Sequence, residues 1–341
     1  MTHHSYGYDD LAPHRQAIEA DLRDLAQRFE DNPHYREMAA MIAHHLGWPE
    51  QPSQSGGKRV RPLIALLCCQ AVGGDWRQAL PVASSVELIH NFSLVHDDIQ
   101  DESDTRRGRP TIWRRWGIAQ AINTGDAIFV LARLACHRLQ ARGLAAETIL
   151  SIHQMLDEAC LRLTMGQHLD LWFEDQDQVS QAAYFEMIEG KTASLLAASA
   201  AAGALIAQVD AGRVDAIFQF GLNLGLAFQI MDDLLGIWGA PESTGKPAGD
   251  DLLAHKKSLP VILGLERSAT FRELWQPSHP DEMILKKMMQ ELVGVNAQTD
   301  AQNAAEKHTQ MAVDALESAC EATPARDHLL FLTENLLHRQ Q

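Results

Sequence analysis

Residues 79–101 read "ALPVASSVELIHNFSLVHDDIQD", and the reading of this stretch settles the fold. Its apolar residues recur at helical spacing without period-two alternation, so it is a long helix with an apolar body and an acidic end. Asp97 and Asp101 are four apart, one turn from each other on one helical face. Like charges at that spacing cost an isolated helix a few tenths of a kcal/mol. A hard cation bridging them reverses the sign, and an all-oxygen donor set selects magnesium or manganese over zinc or copper. The continuation "HDDIQDESDTRRGRP" (96–110) passes from five carboxylates to three arginines. Acid beside guanidinium suits a metal-bound polyanion gripped from both sides.

Working outward, the same helical spacing covers most of the chain. Candidate helices are 12–30, 34–46, 60–72, 79–101, 118–141, 145–174, 181–207, 211–238, 252–267, 281–293, 300–321 and 325–339. Breaks fall at "PSQSGGKR" (52–59), "RRGRP" (106–110) and "APESTGKPAG" (240–249), where Gly, Pro and Ser cluster. No Pro-rich linker and no fixed-period repeat divides the 341 residues. The expectation is one all-α domain over residues 1–341, a large helical bundle, with residues 1–10 flexible. One feature recurs: "IMDDLLG" (230–236) closes another long apolar helix as "VHDDIQD" closes the first. Bundles build metal sites from carboxylates on such helices.

Composition narrows the partners. A formal charge of −16 argues against nucleic acid or an anionic membrane surface. No apolar run reaches the roughly 20 residues of a membrane span, "MTHHSYGYDD" has no apolar leader core, and "LLAASAAAGALIAQ" (195–208) reads as a buried, close-packed helix. The five cysteines are scattered without CxxC spacing and the 16 histidines without zinc spacing, so a reduced, cytoplasmic protein is expected.

The cations gather at turns. Lys58, Arg59 and Arg61 stand in "GGKRVRP" (56–62) at a glycine-flanked helix start, where free N–H groups favour anions. Arg106 and Arg107 follow the first acidic pair, and Lys191 and Thr192 sit in "EGKTASLL" (189–196). Gln229 precedes the second pair, and Lys246 and Lys256 bracket a loop. In so acidic a chain, cations at glycine-rich turns beside acidic pairs point to a diphosphate site. Each alone is as well explained by a solvated surface; together they are not.

Six segments, in order, carry a resemblance: "GGKRVRP", "ELIHNFSLVHDDIQDESDTRRGRPT", "GDAIF", "EGKTASLL", "LGLAFQIMDDLLGIWG" and "TGKPAGDDLLAHKKSLP". They resemble the signature segments of the trans-isoprenyl diphosphate synthases (polyprenyl synthetases), short-chain farnesyl and geranylgeranyl synthases among them. The resemblance implies the isoprenoid synthase fold with a central cavity, and three magnesium ions per site, manganese being an alternative. It implies Asp97, Asp101 and Asp232 as metal ligands, with Asp98 and Asp233 in support. Arg106, Lys191, Thr192, Gln229, Lys246 and Lys256 match contacts to the allylic diphosphate. Lys58, Arg61, His90 and Arg107 match the isopentenyl diphosphate site. Arg106 and Lys191 join the aspartates in the catalytic set, and a homodimer is expected, with 118–141 and 145–174 offering the surface.

The chain departs from that pattern at Gly236, which stands where the second DDxxD motif would end in aspartate. A tolerated variant is expected, against a weakened third-metal site. Ser93 and Phe92, four and five residues before Asp97, lie about one turn down the helix, roughly 5–7 Å away. A phenyl ring there floors the pocket and stops growth before long polyprenyl chains. An aromatic at this place with no insertion in the first motif resembles the geranylgeranyl synthases, and that resemblance favours a twenty-carbon over a fifteen-carbon product. Other readings are a class I terpene cyclase, a non-catalytic regulatory subunit and a structural acidic helical protein. "GGKRVRP" with His90 and Arg107 argues against the cyclase, retention of the lysines against the subunit, and acidic pairs framed by apolar residues against the structural role.

Overall fold

The computed structural model describes residues 7–48, 57–240, 248–276 and 281–337, and it is all-α. Much of the 52–59 and 240–249 breaks lies outside the described residues. The chain divides into two compact units. Met1–Glu158, Ala198–Val214 and Cys320–Leu329 make the first, and Ala159–Ala197, Asp215–Ala319 and Leu330–Gln341 the second.

In the first unit a turn of 3₁₀ helix (Tyr8–Leu11) leads into α1 (Ala12–Glu30), α2 (Arg36–Leu46) and α3 (Val60–Ala71). α4 (Leu80–Gln100) follows, and it packs against α1, α2 and α3. Pro81 opens α4, where a missing N–H costs nothing. Gly47 closes α2 in the left-handed conformation that an L side chain resists. α4 is buried on almost every face, with Ser84, Ser85 and Asn91 fully enclosed beside Val82, Val86, Leu88 and Ile89. α5 (Ile112–Trp116) and α6 (Ile118–His137) complete the sequence, and α6 lies so close to α4 that a Cβ on Gly125 would collide with the His96 ring.

Between α4 and α5 the break at 106–110 is a small hairpin. β1 (Thr105–Arg106) pairs antiparallel with β2 (Arg109–Pro110) across Arg107 and Gly108, both at positive φ (52° and 72°). Positive φ at both central residues is the primed-turn geometry whose twist matches paired strands. Strands of two residues are too short for any alternation to show, which is why the sequence reading held none.

α7 (Ala146–Glu174) contributes residues to both units. In the second unit α8 (Gln181–Ile188) starts at Ser180, whose hydroxyl accepts from Ala183 N at 3.2 Å. It runs through a π-helical turn (Glu189–Ala193) into α9 (Ser194–Ile206), whose residues from Ala198 on belong to the first unit. The expected single helix 181–207 is therefore interrupted. The cause is contact: a Cβ on Gly190 would strike the Arg162 carbonyl, and one on Gly166 the backbone of Lys191 and Gly190. α10 (Ala211–Trp238) is as read from the sequence. Among the described residues it is the one helix long and apolar enough to cross a membrane, and 56% of that stretch is buried.

The expected helix 252–267 is two helices, α11 (Asp250–Leu253) and α12 (Leu259–Arg267). Pro260 permits a helix to start but not to continue through it, and Ser258, the N-cap of α12, is extended. α13 (Ala269–Trp275), α14 (Glu282–Gly294), α15 (Ala297–Ala319) and α16 (Pro324–Leu337) complete the chain. Ser268 and Asp281 cap α13 and α14, and Phe271, Met288, Leu292 and Ala301 join Tyr184, Ile230 and Leu252 in one apolar core.

Candidate active site

The first acidic motif ends α4, and its two neighbouring aspartates differ sharply. Asp97 is half-buried and Asp101 exposed, with Asp101 N donating to the Asp97 carbonyl at 2.8 Å as the helix closes. Asp98 is 2% exposed and accepts from Arg106 Nε at 2.7 Å. Burial raises the Asp98 pKa, and the Arg106 guanidinium works against that rise. The hairpin thus delivers Arg106 to the helix end, tied at one nitrogen.

Beside it the first unit holds a cluster of cations. Arg61 and His90 are half-buried, and Arg107 reaches back so that its guanidinium lies 2.9–3.0 Å from where a Cβ on Gly57 would stand. Burial brings the Arg61 pKa down to about 10, with Arg107 adding to the fall and Glu87 opposing it. Burial, then Arg61, Arg107 and Arg106, hold His90 neutral, well below its usual value. Lys58 is exposed, with its ammonium 5.9 Å from the centre of the Tyr8 ring. His45, from α2, joins the group: burial and then Arg106 and Arg107 lower its pKa to about 3. Arginines gathered this closely around the buried Glu87 carboxylate favour binding of a further anion.

The second motif shows the same division on α10. Asp232 is exposed, while Asp233 is 1% exposed and saturated with donors. Tyr184 Oη donates to it at 2.6 Å, Lys256 Nζ at 3.0 Å, Gln229 Nε2 at 3.3 Å and Leu259 N at 3.3 Å. Burial and then Asp233 push the Tyr184 hydroxyl well above its ordinary pKa. Burial opposes the charge on Lys256, but Asp233, Asp251 and Asp232 outweigh it and raise its pKa. Thr192 Oγ1 donates to Gln229 Oε1 at 2.8 Å, and Lys191 Nζ pairs with Asp170 of α7. The π-helical turn places Lys191 and Thr192 in this network; such turns recur where a helix must re-aim side chains.

Gly236, the departure from DDxxD, faces Asp251. A Cβ built on it would overlap the Asp251 carboxylate, so the absent aspartate is replaced in space by a carboxylate from α11. Phe92 is 7% exposed and packs on Phe129 of α6 at 4.9 Å between ring centres, with His96 at 5.8 Å. Ser93 donates to the His90 carbonyl at 2.9 Å.

Within the first unit the structure thus assembles Lys58, Arg61, His90, Arg106 and Arg107, with Asp97 and Asp101 on the helix end. Within the second it assembles Lys191, Thr192, Gln229 and Lys256 around the α10 acidic pair. Lys246 lies outside the described residues. Sequence reasoning missed His45, Tyr184 and Asp170, which lie outside the motifs they serve, and Glu87, which stands three residues before His90 but reads there as an ordinary helix carboxylate. Among the described residues no group of three or more His, Cys, Asp or Glu forms a metal-holding cluster. The available donors are hard carboxylate oxygens, few in number. That set fits magnesium, which keeps waters and shares its shell with substrate phosphates. A separate cavity of about 1120 Å³ lies between the end of α7 and α12–α13, lined by Trp172, Glu174, Lys257 and Trp275 among others, and holds none of the residues above.

Comparison with known proteins agrees with this geometry. The polyprenyl synthetase family model matches residues 49–292. The (2E,6E)-farnesyl diphosphate synthase of Mycobacterium tuberculosis (strain ATCC 25618 / H37Rv) is 42% identical over 250 residues, 72% of this chain and 67% of that one. The geranylgeranyl pyrophosphate synthetase of Pyrococcus horikoshii superposes with a TM-score of 0.89 at 31% identity, covering 97% of each chain. The geranylgeranyl pyrophosphate synthase of Corynebacterium glutamicum, complexed with isoprenyl diphosphate and magnesium, gives 0.81 at 27% identity over 95% of this chain and 97% of that one. With its acidic pairs, its clustered cations and its all-α fold matched over most of its length, this chain belongs to the polyprenyl synthetase family and is a trans-prenyltransferase.

Proposed function

We propose that the chain, acting as one isoprenoid synthase-like domain, condenses isopentenyl diphosphate with allylic diphosphates to a short-chain all-trans prenyl diphosphate. The observation that carries this is the cluster of Lys58, Arg61 and Arg107 with neutral His90, which belongs to a different unit from the α10 network of Lys191, Thr192, Gln229 and Lys256. An enzyme that takes a single diphosphate, such as a cyclase, has no use for the first set.

Asp97, Asp101 and Asp232 are the ligands for magnesium, three ions in all, with manganese able to replace it. Asp98 and Asp233, both buried and partnered, hold the helix ends that present them. Magnesium, when bound, supplies charge that stabilises the departing diphosphate. Arg106, Lys191, Thr192, Gln229, Lys246 and Lys256 bind the allylic diphosphate, and fixed cations aimed at developing negative charge lower the barrier. Lys58, Arg61, His90 and Arg107 orient isopentenyl diphosphate, whose double bond attacks the allylic carbon. No side-chain base is required, since the released diphosphate takes the proton. Departure of the diphosphate breaks the allylic C–O bond and leaves a delocalised carbocation, from which the apolar body of α4 keeps water.

A twenty-carbon product is favoured over a fifteen-carbon one. Phe92 is backed by Phe129, so the ring is braced as a floor rather than free to swing aside. The protein is cytoplasmic and homodimeric in this reading. Exposed Ile118, Ile122 and Val130 on α6 and Leu150, Leu161, Met165 and Trp172 on α7 supply apolar surface for a second copy.

The test is product analysis of the purified protein with magnesium, labelled isopentenyl diphosphate and dimethylallyl, geranyl or farnesyl diphosphate in separate reactions. Magnesium-dependent elongation ending at twenty carbons is expected. Arrest at fifteen carbons overturns the length assignment, and absence of elongation from every starter overturns the synthase reading.

A further inference from the structure

Arg59 stands between Lys58 and Arg61, yet it cannot bind a diphosphate. It is 3% exposed, and each of its three guanidinium nitrogens donates a hydrogen bond inside the first unit. Nε donates to Glu19 Oε1 of α1 at 2.6 Å, Nη1 to Glu87 Oε1 of α4 at 2.8 Å, and Nη2 to the Leu46 carbonyl ending α2 at 2.8 Å. Both carboxylates are themselves anchored: Trp48 Nε1 donates to Glu19 at 2.7 Å, and Asn91 Nδ2 to Glu87 at 2.9 Å. One side chain thus ties three helices together at the N-cap of a fourth, because Arg59 precedes α3 and its carbonyl accepts from Leu63 N.

The backbone at this point is strained. Arg59 sits at φ 52°, ψ 41°, the left-handed region that glycine enters freely and an arginine does not. Arg107, the cation that meets Gly57, is held at φ 52° as well. Non-glycine residues persist there only where their surroundings over-determine them, and such positions cluster at functional sites.

We propose that Arg59 is a positioning residue for isopentenyl diphosphate: clamped by Glu19, Glu87 and the Leu46 carbonyl, it fixes where Lys58 and Arg61 stand on either side of it and where Gly57 meets Arg107. Glu87 is the buried counter-charge of the arrangement, 3% exposed on α4 three residues before His90. It lets three arginines stand close together while leaving the outer two, Arg61 and Arg107, for the ligand. The proposal rests on the assignment of the Lys58, Arg61, His90 and Arg107 cluster to isopentenyl diphosphate.

The experiment measures KM for isopentenyl diphosphate and for the allylic substrate separately, and binding of isopentenyl diphosphate by calorimetry. It uses wild type, Arg59→Gly, Arg59→Lys and Glu19→Gln. Arg59→Gly relieves the backbone and deletes the clamp, Arg59→Lys keeps the charge but cannot reach three partners, and Glu19→Gln weakens one tie. KM for isopentenyl diphosphate is expected to rise about tenfold or more in both Arg59 variants, with the allylic KM held within about twofold. Glu19→Gln should fall between these and wild type, and it keeps the test alive should the Arg59 variants fail to fold. Unchanged affinity for isopentenyl diphosphate in folded variants, or an equal rise in both KM values, overturns the role of Arg59. Failure of wild type to bind isopentenyl diphosphate at all overturns the underlying site assignment instead.

Discussion

At residue scale, Gly236 is best understood through its neighbour. The Asp251 carboxylate fills the place where any side chain at 236 would begin, so restoring the acidic motif by Gly236→Asp puts two carboxylates in one space. The variant should lose about 1–3 kcal/mol of stability, seen as a lowered thermal midpoint, with no gain in turnover. A midpoint equal to wild type would show that Asp251 yields readily. His45 makes a second point. Buried and held neutral with a pKa near 3, it binds a proton only after the chain has unfolded, where the ordinary value of 6.5 applies. Its contribution to stability is complete above pH 6.5 and is lost as the pH falls toward 3, by about 2 kcal/mol at pH 5. His45→Gln should flatten that part of the stability–pH curve, measured by denaturant unfolding at several pH values. An unaltered slope would place the acid sensitivity elsewhere.

At the scale of elements, α4 and α7 carry distinct predictions. Phe92 and Phe129 meet where α4 packs on α6, and removing one ring opens a hole that the close helix contact at Gly125 cannot collapse. Phe92→Ala should lengthen the product by one or more five-carbon units, read by chromatography of the dephosphorylated alcohols; an unchanged distribution would make the ring ordinary core. On α7, Leu150, Leu161, Met165 and Trp172 are each at least half exposed and fall on one helical face by their spacing. If the proposed homodimer forms through this face, Leu161→Glu with Met165→Glu should leave a monomer in light scattering where wild type gives a dimer, because charge on an apolar interface is not matched across it. A persistent dimer would move the interface off this face. The helices themselves were largely legible: 12–30 and 211–238 emerged as read, since long amphipathic or apolar periodicity is a local property. The π-helical turn, the hairpin and the division at Pro260 were not. The first is forced by glycine contacts between α7 and the turn, and the second is shorter than any period. The third has its local signal in Pro260, which the apolar periodicity of 252–267 runs across.

Over the whole molecule, each unit has one long helix ending in an acidic pair, with an accessible first aspartate and a buried, partnered second. Asp97→Ala should therefore cost several decades in rate while the helical circular dichroism and unfolding midpoint stay near wild type. Near-normal turnover would remove Asp97 from the metal set. The candidate site was legible where it consists of motifs, and it was hidden where tertiary structure recruits a partner, as with Tyr184 for Asp233 or Glu19 for Arg59. The glycines at the π-helical turn carry a last consequence. Gly166 and Gly190 touch no ligand in the proposed mechanism, yet each leaves room for the other strand of backbone to pass. In a randomised library selected for activity both positions would return as glycine with the same rigidity as the aspartates. Invariance there would report how near two chains run, while the chemistry lies one residue away at Lys191.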